Sequence, residues 1–216
     1  MIHFFDAGGR PVDTLLAEYA AGSLSRPLHV LVAAHLTLQP RSRAYVEALD
    51  ILKGDELAAT APVPVADRDA KLAAIFAEPP VAVAPAAPAD DLMPGPLRAF
   101  VGRSGDDIPW KTRLPGIRQH VIGTYRRHRA QLIMVKPGGA LPAHTHEGQE
   151  VTLVLQGQFH DASGVYRRGD ICMADETVNH RPVADAAEGC ICFIVSDGPF
   201  RLTGRFGRIV EWLSRR

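Results

Sequence analysis

The residue types best suited to chemistry in this chain are His144, His146, Glu150 and His180. The first three stand in the pattern Gly138-x5-His144-x-His146-x3-Glu150-x6-Gly157, within KPGGALPAHTHEGQEVTLVLQGQF. Two imidazoles and a carboxylate offer borderline nitrogen and hard oxygen donors to one divalent ion. Side chains alternate faces along a strand, so His144 and His146 point the same way and Glu150 shares their parity. Glu147-Gly148 reads as a turn between them, so one unbroken strand is not required. A fourth donor must come from elsewhere, and GDICMADETVNHRPVAD supplies it. Gly169-Asp170 reads as a turn, Ile171 to Ala174 as a short strand, and Asp175 to Asn179 as a loop that delivers His180. A hairpin partner strand brings that imidazole beside the other three. The regular spacing and the rigid strand-like run Val151 to Leu155 set these residues apart from isolated loop histidines.

The elements that must position this set fill the C-terminal half of the chain. Residues 79–93, rich in Pro, Ala and Asp, have too few large apolar side chains for a core and too many prolines for a helix. They divide a helical region, 1–78, from a strand-rich region, 94–216. The helical region reads as four helices. Asp13 caps the first, through LLAEYAAG to Gly22; Ser25 caps the second, through RPLHVLVAAHLTL to the break at Pro40. Pro40 opens the third, which runs to Gly54, and a fourth spans Asp67 to Glu78. This last helix carries Leu72, Ile75 and Phe76 on one stripe between flanking prolines. Too short to be stable alone, it must dock either on the bundle or on a partner.

Composition narrows the function classes. Twenty-four basic and 24 acidic residues cancel, so no global field favours nucleic acid or an anionic membrane. The clusters Arg126-Arg127-His128-Arg129 and Arg205, Arg208, Arg215, Arg216 read as a hairpin tip and a solvated terminus. No apolar run approaches the roughly 18 residues of a membrane span. The expected location is the cytoplasm, and the three cysteines, Cys172, Cys190 and Cys192, do not form a disulfide framework. Cys190 and Cys192 share one face of a strand as small core residues.

At the histidine motif the chain resembles the cupin family, whose first motif it matches in full. The second motif is matched in part: Gly169 and His180 are present, but the usual Pro-x-Gly and the following Asn are not. The resemblance implies a double-stranded β-helix barrel with a metal in its mouth. A wider likeness covers nearly the whole chain. LLAEYAAGSLS, LVAAHLTL, FVGRSGDDIPW, GIRQHVI, EVTLVLQGQF, GDICMADETVNHRPVAD and the Cys-Ile-Cys strand resemble the ChrR-type anti-sigma factors. In that family a helical domain holding zinc is joined to a C-terminal cupin.

That resemblance implies an α + β chain of two domains, a small helical bundle and a cupin. It implies sequestration of an extracytoplasmic-function (ECF) sigma factor, relieved by oxidative stress. The partner-binding candidates are Leu72, Ile75 and Phe76. The cofactor is one divalent ion held by His144, His146, Glu150 and His180: zinc first, with iron, manganese or nickel as alternatives. Neither direct nucleic-acid binding nor membrane contact is expected, and a homodimer is compatible with the reading. One departure matters. The family's helical zinc site uses His-x3-Cys-x2-Cys and an N-terminal histidine, whereas this chain has His35, Gln39 and Ser42, with His3 upstream. An amide and a hydroxyl do not replace two thiolates, so that zinc site is not expected and His35 reverts to a helix-end polar residue. The competing reading is a cupin metalloenzyme, a dioxygenase or isomerase, whose helices dimerise; His160 and Asp161 are its nearest acid–base candidates.

Overall fold

The computed structural model describes residues 12–80 and 90–203. His3, most of the proline-rich segment and the four tail arginines lie outside the described residues. Helices α1 (Asp13–Ala20), α2 (Arg26–Leu38), α3 (Pro40–Ala58) and α4 (Arg68–Ala77) follow the predicted order. Pro27 and Pro40 sit in the first turns of α2 and α3, where the missing N–H costs nothing. Helix α3 continues past Gly54, because one exposed glycine costs only about 1 kcal/mol against alanine and Glu56, Leu57 and Ala58 propagate the helix. Helix α5 (Gly95–Val101) was not expected.

Ten strands follow: β1 (Lys111–Leu114), β2 (Ile117–Tyr125), β3 (His128–Val135), β4 (His144–His146), β5 (Glu150–His160), β6 (Val165–Arg167), β7 (Ile171–Ala174), β8 (Val183–Ala184), β9 (Cys190–Ser196) and β10 (Phe200–Leu202). All pairings are antiparallel, in the order β1-β2-β3-β9-β5-β6 with β7 and β8 also against β5, and β10 beside β4. Strand β5 organises the barrel. Its first half pairs with β9 and β7, and after a bulge between Val154 and Gln156 its last residues pair with β6 and β8. A bulge bends a strand, which carries β5 from one layer to the next. Gly157 sits at that bend with φ +65°, and a Cβ there would lie 2.1 Å from the Gly189 carbonyl oxygen.

The run Val151–Leu155 is buried at every position, with Thr152 its one polar residue, because the sheet is covered on both faces. Val151, Leu153 and Leu155 face outward with Leu132, Phe193 and Val195, and pack against Leu16, Leu31, Val32 and Leu97 of the helices. Val154, Cys172, Cys190, Cys192 and Ile194 face inward with Phe159 and Tyr166. The helices therefore share one core with the outer face of the barrel. Met93, at the end of the proline-rich segment, is also buried in it. The Arg26 guanidinium lies 5.5 Å from the Phe100 ring and 5.9 Å from that of Tyr125, linking α2 to α5 and β2. Each leucine taken out of water here contributes roughly 2 kcal/mol.

Candidate metal centre

Strand β4 places His144 and His146 on one face, and the chain leaving β7 returns beside it. A bridge between His144 and His180, with each backbone N–H donating to the other's carbonyl at 3.0 Å, brings the third imidazole into place. The three Nε2 atoms converge: His180 to His144 at 3.1 Å and His180 to His146 at 3.2 Å. All three side chains are buried. The predicted His180 partner is thus brought to the site from its own loop.

The other ring nitrogens leave these Nε2 atoms able to coordinate an ion. His144 Nδ1–H donates to the Pro142 carbonyl at 2.7 Å, and His180 Nδ1–H to Asp161 Oδ2 at 2.8 Å. With Nδ1 protonated in each neutral ring, both Nε2 atoms carry lone pairs. Two lone pairs facing each other at 3.1 Å repel, and a cation between them removes the repulsion. Metal–nitrogen bonds of about 2.0–2.1 Å put neighbouring donors ~3 Å apart, the spacing found here. Burial lowers the His144 pKa to about 4, against the pull of the Pro142 hydrogen bond, with His180 adding to the drop. Burial and the two neighbouring rings lower His146 to about 4. Both are neutral at physiological pH and free to coordinate.

Glu150, at the start of β5, stands at the edge of this group. Its Oε2 is 3.8 Å from His146 Nδ1, and Thr152 Oγ1 is 3.5 Å from its Oε1. Burial raises its pKa to about 7. Asp161 is held differently. Burial works against its ionisation, but His180 and the backbone amides of Ser163 and Gly164 donate to it and keep its pKa below the usual carboxylate range. It therefore orients a ring rather than offering acid–base chemistry. His160, its neighbour in sequence, is exposed. The aromatic Phe200 of β10 lies edge-on to His144 at 5.7 Å and is 60% exposed, marking the mouth. Asp161 and Phe200 have no spacing signal, since both arrive through strand pairing.

Beneath the histidines lies a cavity of about 40 Å³ lined by His144, His180, Glu150, the three cysteines and apolar side chains. It has room for a water or two, far less than the roughly 300–1,000 Å³ of small-molecule sites. The Sγ atoms of Cys190 and Cys192 are 3.3 Å apart, and all three cysteines are buried thiols outside any disulfide among the described residues. Their mutual hydrogen bond and burial push the Cys192 thiol well up, which suits core residues rather than nucleophiles.

The partner-binding candidates lie elsewhere. Leu72 is half-buried, while Ile75 and Phe76 are 63% and 83% exposed, and no residue of α4 is buried. Ile51, Leu52 and Leu57 of α3, and Val63 and Val65 after it, are exposed as well. The expected helix-end role of His35 is corrected: it is buried and hydrogen-bonded to Gly169 and Ser42.

The family described as the ChrR cupin-like domain matches residues 100–201. The chain is 39% identical over 202 residues to the anti-sigma-E factor ChrR of Cereibacter sphaeroides, covering 92% of this chain and 94% of that protein. It is similar to the anti-sigma ChrR in the crystal structure of Rhodobacter sphaeroides SigE in complex with ChrR, with a TM-score of 0.71 and 39% identity over 86% of this chain and 96% of that one.

Proposed function

We propose, from the premise that this chain belongs to the ChrR family of anti-sigma factors, that it sequesters an ECF-type sigma factor and releases it when the metal centre of its cupin is perturbed. The observation that carries this reading is the apolar surface of α3 and α4. Exposed residues from Ile51 to Phe76 include seven large hydrophobics, and α4 buries none of its own residues. An amphipathic helix whose stripe is left this open among the described residues is suited to a groove on a partner. Leu72, Ile75 and Phe76 are the proposed anchors.

His144, His146 and His180 would hold the ion, with Glu150 as the anionic ligand beside them, and zinc fits four such nitrogen and oxygen donors. When bound, a divalent ion supplies a cross-link between β4, the start of β5 and the loop after β7. Asp161 and the Pro142 carbonyl fix two of the rings in the coordinating tautomer. Without the cross-link, that tie between β4, β5 and the loop after β7 is lost and a buried Glu150 lacks the metal's counter-charge. Family membership carries the further proposal that oxidative stress acts through this centre. The small cavity speaks against the enzyme reading, since no substrate of ordinary size fits beneath the histidines.

Transcription from a promoter served by the cognate sigma factor tests the reading. Addition of the full chain is expected to silence it, and Phe76→Ala to restore it. Undiminished transcription at saturating chain contradicts the proposal.

A further inference from the structure

The positions that lack thiolates are not idle. His35 Nδ1–H donates to the carbonyl of Gly169 at 2.8 Å, and its Nε2 accepts from the Ser42 hydroxyl at 2.8 Å. One ring thus ties α2 to the first turn of α3 and both to the barrel. Beside it, the Gln39 amide donates to Asp170 Oδ1 at 3.2 Å, while the other carboxylate oxygen of Asp170 accepts from the Arg167 N–H at 2.8 Å and closes the β6–β7 turn. Gly169 has φ +90°, and a Cβ there would lie 2.9 Å from the Gln39 amide nitrogen and 3.1 Å from the Leu38 Cβ. Only glycine permits this approach.

The same turn leads to the metal centre without a break. Gly169 N–H donates to the Val154 carbonyl and Val154 N–H to that of Asp170, at 2.9 and 3.1 Å, fixing the turn to β5. From Asp170 the chain runs through β7, whose Cys172 lines the cavity. It then enters a turn closed by Asp175, whose side chain accepts from the Thr177 N–H at 2.9 Å. That turn ends at His180. A strand held at both ends has little freedom to shift one end alone.

We infer that His35, Gln39 and Ser42 form a latch on the Gly169–Asp170 turn, and that β7 couples this latch to His180, so that the metal centre and the helical region report on each other. The coupling rests on the metal reading of the histidines. Converged histidines and a closed latch coexist in one structure, so metal binding favours the latched arrangement. By linkage, opening the latch weakens metal binding by the same factor. Gln39 sits between α2 and α3 against the Gly169–Asp170 turn and is not among the residues lining the cavity beneath the histidines.

Zinc affinity of the full chain, measured by competition with a chelator, tests this for wild type, Gln39→Ala, Asp170→Ala and the double variant. Each single change is expected to weaken zinc at least about fivefold, and the double variant no more than the stronger single one. Wild-type affinity in Gln39→Ala, or full additivity in the double variant, overturns the coupling. Amide hydrogen exchange of the unmutated chain provides a second reading: protection across residues 35–42 is expected to fall when zinc is chelated, and unchanged protection overturns the inference even if the variants misfold. A chain that takes up no zinc at all overturns the histidine centre and the coupling together, whereas tight zinc with no change at residues 35–42 overturns the coupling alone.

Discussion

His144 and His180 bring their Nε2 atoms within 3.1 Å of one another, and the Pro142 carbonyl and Asp161 hold the opposite ring nitrogens. Replacing either by alanine is expected to abolish tight metal binding. Asp161→Ala removes the acceptor that fixes the His180 tautomer and should weaken binding about 10–100-fold, while His160→Ala, on an exposed side chain, should leave it unchanged. Metal titration of the purified variants checks all three. Glu150 gives a pH signature. Its pKa rises from the usual 4.5 to about 7 in the fold. Below the lower value both folded and unfolded chains hold the proton. As pH climbs between the two values the unfolded chain ionises first, so the metal-free fold loses stability, and above the upper value the loss is complete. Glu150→Gln should therefore leave metal-free stability unchanged near pH 4 and raise it by roughly 2–3 kcal/mol near pH 8. Denaturant unfolding in chelator at both pH values is the measurement, and an equal effect at both would contradict it. The histidines were legible because H-x-H on a strand and a turn-strand-loop ending in His180 are local patterns. Asp161 was not, because its meeting with His180 depends on pairings far apart in sequence.

At the scale of elements, α1 to α4 were legible from prolines and apolar periodicity, but the expected caps are not made: Asp13 falls inside α1, behind Val12, and the Ser25 hydroxyl makes no capping bond. Helix α5 was missed, being a seven-residue segment opened by Gly-Pro with a single buried leucine. The docking of the helices on the barrel was not anticipated, although a trace of it stood in Val151–Leu155, apolar at all positions but Thr152 where a half-buried strand alternates. Helix α4 is the opposite case: its stripe was legible and its partner was not, because none of its residues is buried among the described residues. Phe76→Ala removes a side chain that is 83% exposed, so its effect on stability should stay within about 0.5 kcal/mol. At the centre of an interface the same change should cost roughly 2 kcal/mol or more of affinity for the sigma factor. Thermal unfolding and a binding isotherm on one preparation separate the two. A large stability loss would show that Phe76 is packed within the chain, and unchanged affinity would remove it from the interface.

For the whole molecule, one core joins the helices to the barrel, and no described helix is long and apolar enough to cross a membrane. Among the described residues the three histidines of the barrel are the one cluster with metal-site geometry, and elemental analysis of the purified chain is expected to find about one tightly held ion. Two would mean that His35 and its neighbours bind metal after all. A barrel whose inner face carries the three histidines and whose outer face carries the helices is a direct arrangement for turning a change at a proposed metal into a change at a partner. The most direct test is the affinity of the full chain, zinc-loaded and chelated, for the ECF-type sigma factors encoded with it in its source genome. A one-to-one complex with zinc, weakened at least about fivefold after chelation, is the expected result. No complex with any of them, or one of equal strength in both states, would contradict the account.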